Sequence, residues 1–317
     1  MKVDEDERER SKMKKVLVAG GTGYLGKYVI QEFNRQGFWV RALTRNEKKL
    51  SEIGPFGEPA VADIIDDVFM GEVTRPDTLT GLCEDIDIVF SSIGLTRQKD
   101  GLSFQDVDYQ GNKNILDQAV IARVKQFIYV SVLNAHLMEH LAIVKAHEDF
   151  VRALKTSRIP YTIVRPTGYF SDISEYFKMT KSGRAYLIEN GDNRLNPIHG
   201  ADLAKVCVDA VEDLEDEIPV GGPSVFTQRE IAQLAFSVLG QSPKISTIPL
   251  GLAKAAIRLM RPFSRHTADL FEFFVSGAEH DMVAPQYGHR TLSEYFRQLA
   301  SASGLDSQAI VPIDPGV

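Results

Sequence analysis

The feature that most constrains this chain is the run Ala19-Gly20-Gly21-Thr22-Gly23-Tyr24-Leu25-Gly26. It contains both Gly20-x-x-Gly23-x-x-Gly26 and the overlapping Gly21-x-Gly23-x-x-Gly26, and it joins two segments of different period. Before it, Lys15-Val16-Leu17-Val18-Ala19 is the short β-branched and apolar run expected of a strand buried on both faces. After it, Leu25, Val29 and Phe33 recur every four residues among Lys27, Gln31, Glu32 and Arg35, and Gly37 stands where a left-handed cap would end a helix. Phe38 to Thr44 reads as a second strand, completing a strand-turn-helix-strand unit long enough for a right-handed parallel crossover. Glycine in such a turn permits the tight exit from the strand, backbone approach to a pyrophosphate, and close packing of helix on sheet. The anion then rests on free N–H groups at the helix N-terminus. A Gly-x-Gly-x-x-Gly string alone is a weak signal; between a strand and a helix it points to a dinucleotide held by Gly20, Thr22, Gly23, Tyr24, Leu25 and Gly26.

Further strand candidates are Asp87 to Ser91, Phe127 to Ser131 and Tyr161 to Arg165, with a shorter one around Val68 to Val73 after a loop containing Pro55 and Pro59. Helical patterns separate them, at Gly111 to Ala122 and Leu141 to Ser157. Strands alternating with helices imply an α/β fold with a doubly wound parallel sheet. Residues 1–13 are almost wholly charged and read as a loose tail. Residues 14–165 then form the nucleotide-binding domain, and 166–317 a smaller substrate lobe with some segments returning to the first domain. Helix patterns at Thr227 to Leu239 and Leu250 to Arg261 belong to that lobe.

Composition narrows the function classes. The net charge of −7 would repel a phosphate backbone, and no basic run is interleaved with aromatics, so nucleic acid is not an expected partner. No apolar run approaches bilayer length. Only Cys83 and Cys207 are present, without CxxC spacing and without a secretory signal ahead of them, which argues against a disulfide framework or a thiolate metal site. A cytoplasmic, reducing location is the expectation. No metal is expected, since His199 has no second ligand at metal-like spacing.

Cofactor choice is read at the end of the second strand. An acidic residue there would accept the ribose hydroxyls of NAD, whereas this chain has Thr44-Arg45-Asn46. A guanidinium forks onto a 2′-phosphate, so Arg45 favours NADP(H). The competing reading is an exposed strand-end arginine with no specific task.

Taken together, the glycine turn, Gly71-Glu72-Val73-Thr74, Ser91-Ser92-Ile93-Gly94, Val107-Asp108-Tyr109-Gln110-Gly111-Asn112, Arg165-Pro166-Thr167-Gly168 and Asn196-Pro197-Ile198-His199 resemble the atypical short-chain dehydrogenases/reductases of the NmrA-like group. Residues 164–227, including Val220-Gly221-Gly222-Pro223, are similar to bacterial divinyl chlorophyllide 8-vinyl reductases. The resemblance covers most of residues 14–245. It implies a Rossmann doubly wound parallel sheet with a smaller C-terminal α/β lobe, and NADP(H) as cofactor. It also implies that Glu72 and Val73 lie by the adenine, that Ser92, Ile93 and Gly94 line the cofactor cleft, and that Pro166, Thr167 and Gly168 sit beside the nicotinamide. Glu72 stands where relatives usually carry Asp, a longer acceptor in the same role.

The catalytic pattern departs from the wider superfamily. Typical members use Tyr-x-x-x-Lys, the tyrosine protonating a carbonyl oxygen and the lysine lowering its pKa and holding the ribose. The matching stretch here is Leu141-Ala142-Ile143-Val144-Lys145: the lysine is kept and the acid is gone. Two conclusions compete. One is an enzyme reducing an activated C=C bond of a conjugated, apolar substrate, with Lys145 stabilising the developing enolate. The other is a non-catalytic NADP(H)-binding regulator or assembly factor. Ser131 stands at a strand end where the superfamily often has a catalytic serine; it reads equally as a strand-capping hydroxyl. His136 and His140 could replace the missing acid or be surface histidines.

In the lobe, Tyr169 and Phe170, with Tyr176 and Phe177, read either as an aromatic wall for a flat substrate or as lobe core. Across 250–261, Lys254, Arg258 and Arg261 form a cationic stripe beside apolar Leu252, Ala255, Ala256, Leu259 and Met260. Such a helix suits peripheral membrane contact or a cover over an acidic, lipophilic substrate; the plainer reading is a solvated outer face.

Overall fold

The computed structural model describes residues 13–95, 101–213 and 215–303; of the segment read as a charged tail, only Met13 falls within them. In chain order the elements are β1 (Lys15–Ala19), α1 (Tyr24–Arg35), β2 (Trp39–Thr44), β3 (Asp67–Met70), β4 (Ile88–Ser91), α2 (Asn112–Ala122), β5 (Gln126–Val130), α3 (Ala135–Met138), α4 (Ala142–Thr156) and β6 (Tyr161–Pro166). They continue with α5 (Phe170–Lys181), β7 (Ala185–Ile188), β8 (Arg194–Leu195), α6 (Gly200–Asp209), β9 (Glu217–Val220), β10 (Phe226–Thr227), α7 (Gln228–Val238), β11 (Ile245–Ile248), α8 (Leu250–Met260), α9 (Arg265–Gly277) and α10 (Leu292–Ala302).

Among the described residues the chain divides into two compact units. The first comprises residues up to Pro166 together with Gly200–Val220, and the second Thr167–His199 together with the residues from Gly221 on. The first unit holds a seven-stranded sheet in the order β3-β2-β1-β4-β5-β6-β9. Every pairing in it is parallel, as the alternation of strands and helices predicts. This is the Rossmann doubly wound arrangement, with the strand order reversing between β1 and β4. The seventh strand, β9, was not read from the sequence: Glu217-Ile218-Pro219-Val220 is short and contains a proline, and it returns to the sheet only after the chain has built part of the second unit.

Strand β5 shows why the core forms where it does. All five of its residues are buried, and Phe127 and Tyr129 join Leu17, Val89, Ile115, Phe150, Leu154 and Ile163 in one apolar cluster. Fully burying each such side chain contributes about 1.5–3 kcal/mol. The π-helical turn Gln105–Gly111 leads directly into α2, so the helix read from Gly111 onwards has an irregular entrance that a period of 3.6 does not reveal.

One polar group fixes the β6 edge of the sheet. The Arg165 guanidinium forks onto Glu148 of α4 at 2.8 and 3.1 Å, and its Nε donates to Glu217 of β9 at 2.7 Å. Burial works against its charge, but the two carboxylates outweigh burial and hold its pKa above the ordinary arginine value. The Glu217 carboxyl is lowered in turn: partial burial would raise it, and Arg165 and Lys155 overcome that.

The second unit has two small sheets, β8 with β10 antiparallel and β7 with β11 parallel. Asn196, fully buried, ties the segments at Gly222 and Ala284 together by donating to the carbonyls of both and accepting from Ala284 N–H. Replacing Glu148 by Ala leaves Arg165 with one carboxylate fewer in a half-dry site, and should lower unfolding stability by about 3 kcal/mol; urea denaturation measures it, and a loss below ~1 kcal/mol would show the fork to be dispensable.

Candidate functional site

The ends of β1 and β4 define the site. At Gly20 the backbone takes φ +92°, and a Cβ there would lie 2.8 Å from Ser92 Oγ, so the turn after β1 and the segment after β4 touch. Ser92 N–H donates to the Ala19 carbonyl at 3.1 Å. The turn closes through Gly23 N–H to Gly20 O at 2.9 Å. A Cβ on Gly26 would stand 2.1 Å from that same Gly20 oxygen. Helix α1 starts with Gly23 as its N-cap and no side chain caps it, so first-turn N–H groups are left for an anion. A cradle that one methyl group would fill, placed at the switch point of the sheet, fits a pyrophosphate.

The sequence-derived residues fall into place unevenly. Thr22 and Gly23 lie at the open side of the turn, and Leu25 is buried beneath it. The Tyr24 side chain turns away: its hydroxyl accepts Gly200 N–H at 3.0 Å and its ring packs edge-on to Tyr28 and Phe56, leaving its backbone to serve the cradle. Arg45, exposed at the end of β2, donates to Glu72 Oε1 at 2.9 Å. Glu72 is itself oriented by Thr74, while its N–H donates to Thr78 Oγ1.

The motif at 107–112, with Asn114 just beyond it, has a clear task that the sequence did not disclose. Asn114 Nδ2 donates to the Val73 carbonyl at 2.8 Å, and Gly111 approaches Val73 so closely that a Cβ would meet its Cγ2 at 2.8 Å. Asn112 accepts from Ser91 Oγ at 2.5 Å and donates to the Ile93 carbonyl at 3.2 Å. Asp108 Oδ2 accepts Leu95 N–H at 3.0 Å. The π-helical turn and the start of α2 thus hold Val73 and the 93–95 segment together.

The two expected catalytic side chains, Lys145 and Ser131, each have a carboxylate partner within the first unit. Lys145 is 58% exposed in its side chain, and its ammonium pairs with Asp149 at 2.6 Å. Two residues along a helix are about 200° apart around its axis, so Lys145 and His147 face opposite ways. From α4 it is His147 that meets Gly94: a Cβ on Gly94 would lie 3.3 Å from Asp108 Oδ1 and 3.9 Å from His147 Nε2. His147 was not singled out from the sequence, because the Tyr-x-x-x-Lys spacing directs attention to the other face. Leu141 is buried at the N-cap of α4. Ser131 is buried and donates to Glu148 Oε1 at 2.8 Å. His136 and His140 are exposed.

In the second unit, Thr167 is buried and donates to the Asn196 carbonyl at 2.6 Å, with Gly168 accepting Ile198 N–H at 2.9 Å. Pro166, just before it, closes β6 in the first unit. Phe170 is not a wall residue: it is buried against His199 and Tyr295, and Phe177 stacks on Phe296. A helix starting at Phe170 turns these rings inward. Tyr176 is half-buried and donates to Gln228. Tyr169 is half-buried at the head of α5. Among the described residues no three His, Cys, Asp or Glu side chains gather as a metal site.

A glycine cradle at the switch point of a doubly wound sheet defines a dinucleotide-binding protein. The NAD(P)H-binding family matches residues 20–214, more than half of the chain, and the chain belongs to that family. Photosystem II assembly factor Ycf39 of Trieres chinensis is 27% identical over 243 residues, covering 75% of this chain and 73% of that protein. Divinyl chlorophyllide a 8-vinyl-reductase of Cucumis sativus is 26% identical over 321 residues, covering 90% of this chain and 76% of that protein. Among solved structures, an NADPH-dependent quinone oxidoreductase of Escherichia coli in complex with NADPH superposes with TM-score 0.68 at 20% identity, over 90% of this chain and 99% of that one, a likeness of fold. The vinyl-reductase resemblance read from a few motifs therefore extends over most of the chain.

Gly26→Ala should abolish binding of NADPH and lower the melting temperature, since the methyl group would overlap the Gly20 carbonyl; calorimetric titration and thermal unfolding read both, and an unaffected variant would show the helix to be less tightly seated than described.

Proposed function

We propose that this chain is an NADP(H)-dependent reductase acting on an activated C=C bond, less readily C=O, of a conjugated and largely apolar substrate. The observation that carries the reading is the pairing of an intact glycine cradle with a buried leucine, Leu141, where the carbonyl-reducing tyrosine would stand. A hydrocarbon cannot protonate a carbonyl oxygen, so chemistry that begins with hydride delivery to carbon is favoured. The name of the Cucumis sativus relative supports the same reaction class. Bound on the cradle, the reduced nicotinamide supplies that hydride.

In this reading the backbone of Gly20, Thr22, Gly23, Tyr24, Leu25 and Gly26 holds the pyrophosphate, and Arg45 exchanges Glu72 for the 2′-phosphate. Glu72 and Val73 flank the adenine. Ser92, Ile93 and Gly94 run along the cofactor, and Pro166, Thr167 and Gly168 stand beside the nicotinamide. Tyr169 remains a candidate for substrate contact, whereas Phe170 supports the lobe from within. Lys145 pairs with Asp149 and keeps two further N–H donors for a ribose, and Ser131 is held by Glu148. In this proposal Lys145 positions the ribose and the reacting group, and Ser131 turns a hydrogen bond to the substrate.

A non-catalytic assembly factor is the second reading, favoured by the name of the Trieres chinensis relative and by the engagement of Lys145 with Asp149. Mixing the protein with NADPH and a panel of enones, quinones and vinyl-substituted aromatics, and following nicotinamide absorbance, separates the two. Oxidation of NADPH is expected; tight binding with no turnover across the panel would favour the assembly factor. Arg45→Ala should cut the NADPH over NADH affinity ratio by about tenfold or more, and an unchanged ratio removes Arg45 from cofactor choice.

Peripheral membrane contact through α8 belongs to the same proposal. Leu252 and Leu259 are exposed beside Arg258, and Phe263, in the turn to α9, is 90% exposed. Lys254 pairs with Glu279, and Arg261 with Asp269 and Glu272, which weakens the stripe's net charge. Among the described residues no helix is long and apolar enough to cross a membrane. Cosedimentation with phosphatidylglycerol vesicles should fall on Phe263→Asp; equal recovery of both proteins leaves the helix a solvated face. The free thiols Cys83 and Cys207 are both buried, with burial pushing Cys83 up to about 12, which suits a reducing, cytoplasmic setting without requiring one.

A further inference from the structure

Three side chains behind Gly94 form a chain of polar contacts. The Tyr129 hydroxyl lies 2.6 Å from His147 Nδ1. His147 Nε2 lies 3.3 Å from Asp108 Oδ1. The other carboxylate oxygen, Oδ2, accepts Leu95 N–H at 3.0 Å. Asp108 is 0% exposed, and its Oδ1 has no hydrogen bond of good geometry, so the imidazole Nε2 is the donor closest to satisfying it. The three residues come from the π-helical turn, β5 and α4, all within the first unit.

The chemistry of the pair sets which way the protons point. A neutral imidazole has one donor and one acceptor nitrogen, and the hydrogen bond at one fixes the other. A phenol that donates to Nδ1 places the proton on Nε2, where it faces the buried carboxylate. If Nε2 carried the lone pair instead, two acceptors would face each other at a fully buried carboxylate, at a cost of about 1–3 kcal/mol.

We propose that Tyr129 locks His147 in the Nε2–H tautomer and that His147, through Asp108, fixes the Ser92–Leu95 segment on which the cofactor is read to lie. His147 is then a positioning residue: it orders the backbone under the cofactor without a chemical step of its own. The inference rests on the proposed cofactor placement, but its first half concerns only the protein's own protons and backbone.

The test uses the full chain with three readouts: imidazole nitrogen NMR for the tautomer, amide hydrogen exchange at Leu95, and NADPH affinity by calorimetry. Wild type should show His147 with the proton on Nε2. Tyr129→Phe, which keeps the ring in the core, should leave an Nε2–H majority with a detectable Nδ1–H fraction, faster exchange at Leu95 and an NADPH affinity about three- to tenfold weaker. Asp108→Asn is the second variant, in case the first folds poorly. Its amide oxygen must accept Leu95 N–H, which turns its NH2 toward His147 and should drive the proton onto Nδ1. An unchanged tautomer in both variants, or a changed tautomer with unchanged Leu95 exchange, overturns the proposal. Altered exchange at Leu95 with undiminished NADPH affinity sustains the lock and instead removes the cofactor from this segment.

Discussion

Every part of the site depends on how closely α1 is seated on the end of β1. The Gly20 carbonyl is approached by the backbone of both Gly23 and Gly26, and at Gly26 there is no space for even one methyl group. That seating leaves the first-turn N–H groups aimed across the carboxyl ends of the sheet, and it brings Gly20 against Ser92 at the point where the strand order reverses. An anion held there is bound by backbone alone, so a wide range of side chains elsewhere is compatible with NAD(P)H binding.

The second structural theme is that the cofactor-side loops are not free-standing. The π-helical turn and the start of α2 send Asp108, Asn112 and Asn114 to three different loop positions, Leu95, Ile93 and Val73. Backbone groups in loops of this kind, near the sheet and partly buried, need partners as helix and strand groups do. One short helical entrance supplies them all. Its irregular winding is consistent with this, since π turns often occur where side chains must be aimed away from the regular helical positions.

Much of the first unit was legible from the sequence because its signals are local. β1, α1 and β2 follow from a buried run, a period of 3.6 and a glycine cap, and the strand candidates at 87–91, 127–131 and 161–165 each match a strand to within a residue or so at either end. Arg45 was legible as a cation at the end of β2; its pairing with Glu72, 27 positions along the chain, was not. The lysine of the Tyr-x-x-x-Lys comparison was legible by position, and the face of α4 that carries it was not. Only the seating of α4 on the sheet shows that His147, not Lys145, faces Gly94. Phe170 illustrates the converse: two aromatics in a row suggest a wall, and the helix that begins there buries one of them.

By itself the sequence determined that residues 15–44 form a dinucleotide-binding unit, because the spacing of glycines between a strand and a helix permits little else, and that no tyrosine stands four residues before Lys145. The tertiary structure decided which polar side chains work together. β9 joins the sheet after a long excursion, Glu148 and Glu217 meet on Arg165, and Tyr129, His147 and Asp108 converge behind Gly94. Those encounters join residues up to 69 positions apart, as between Glu148 and Glu217, and no local period or propensity encodes them. They exist because packing a parallel sheet between helices brings distant segments to one edge, where buried polar groups must find partners.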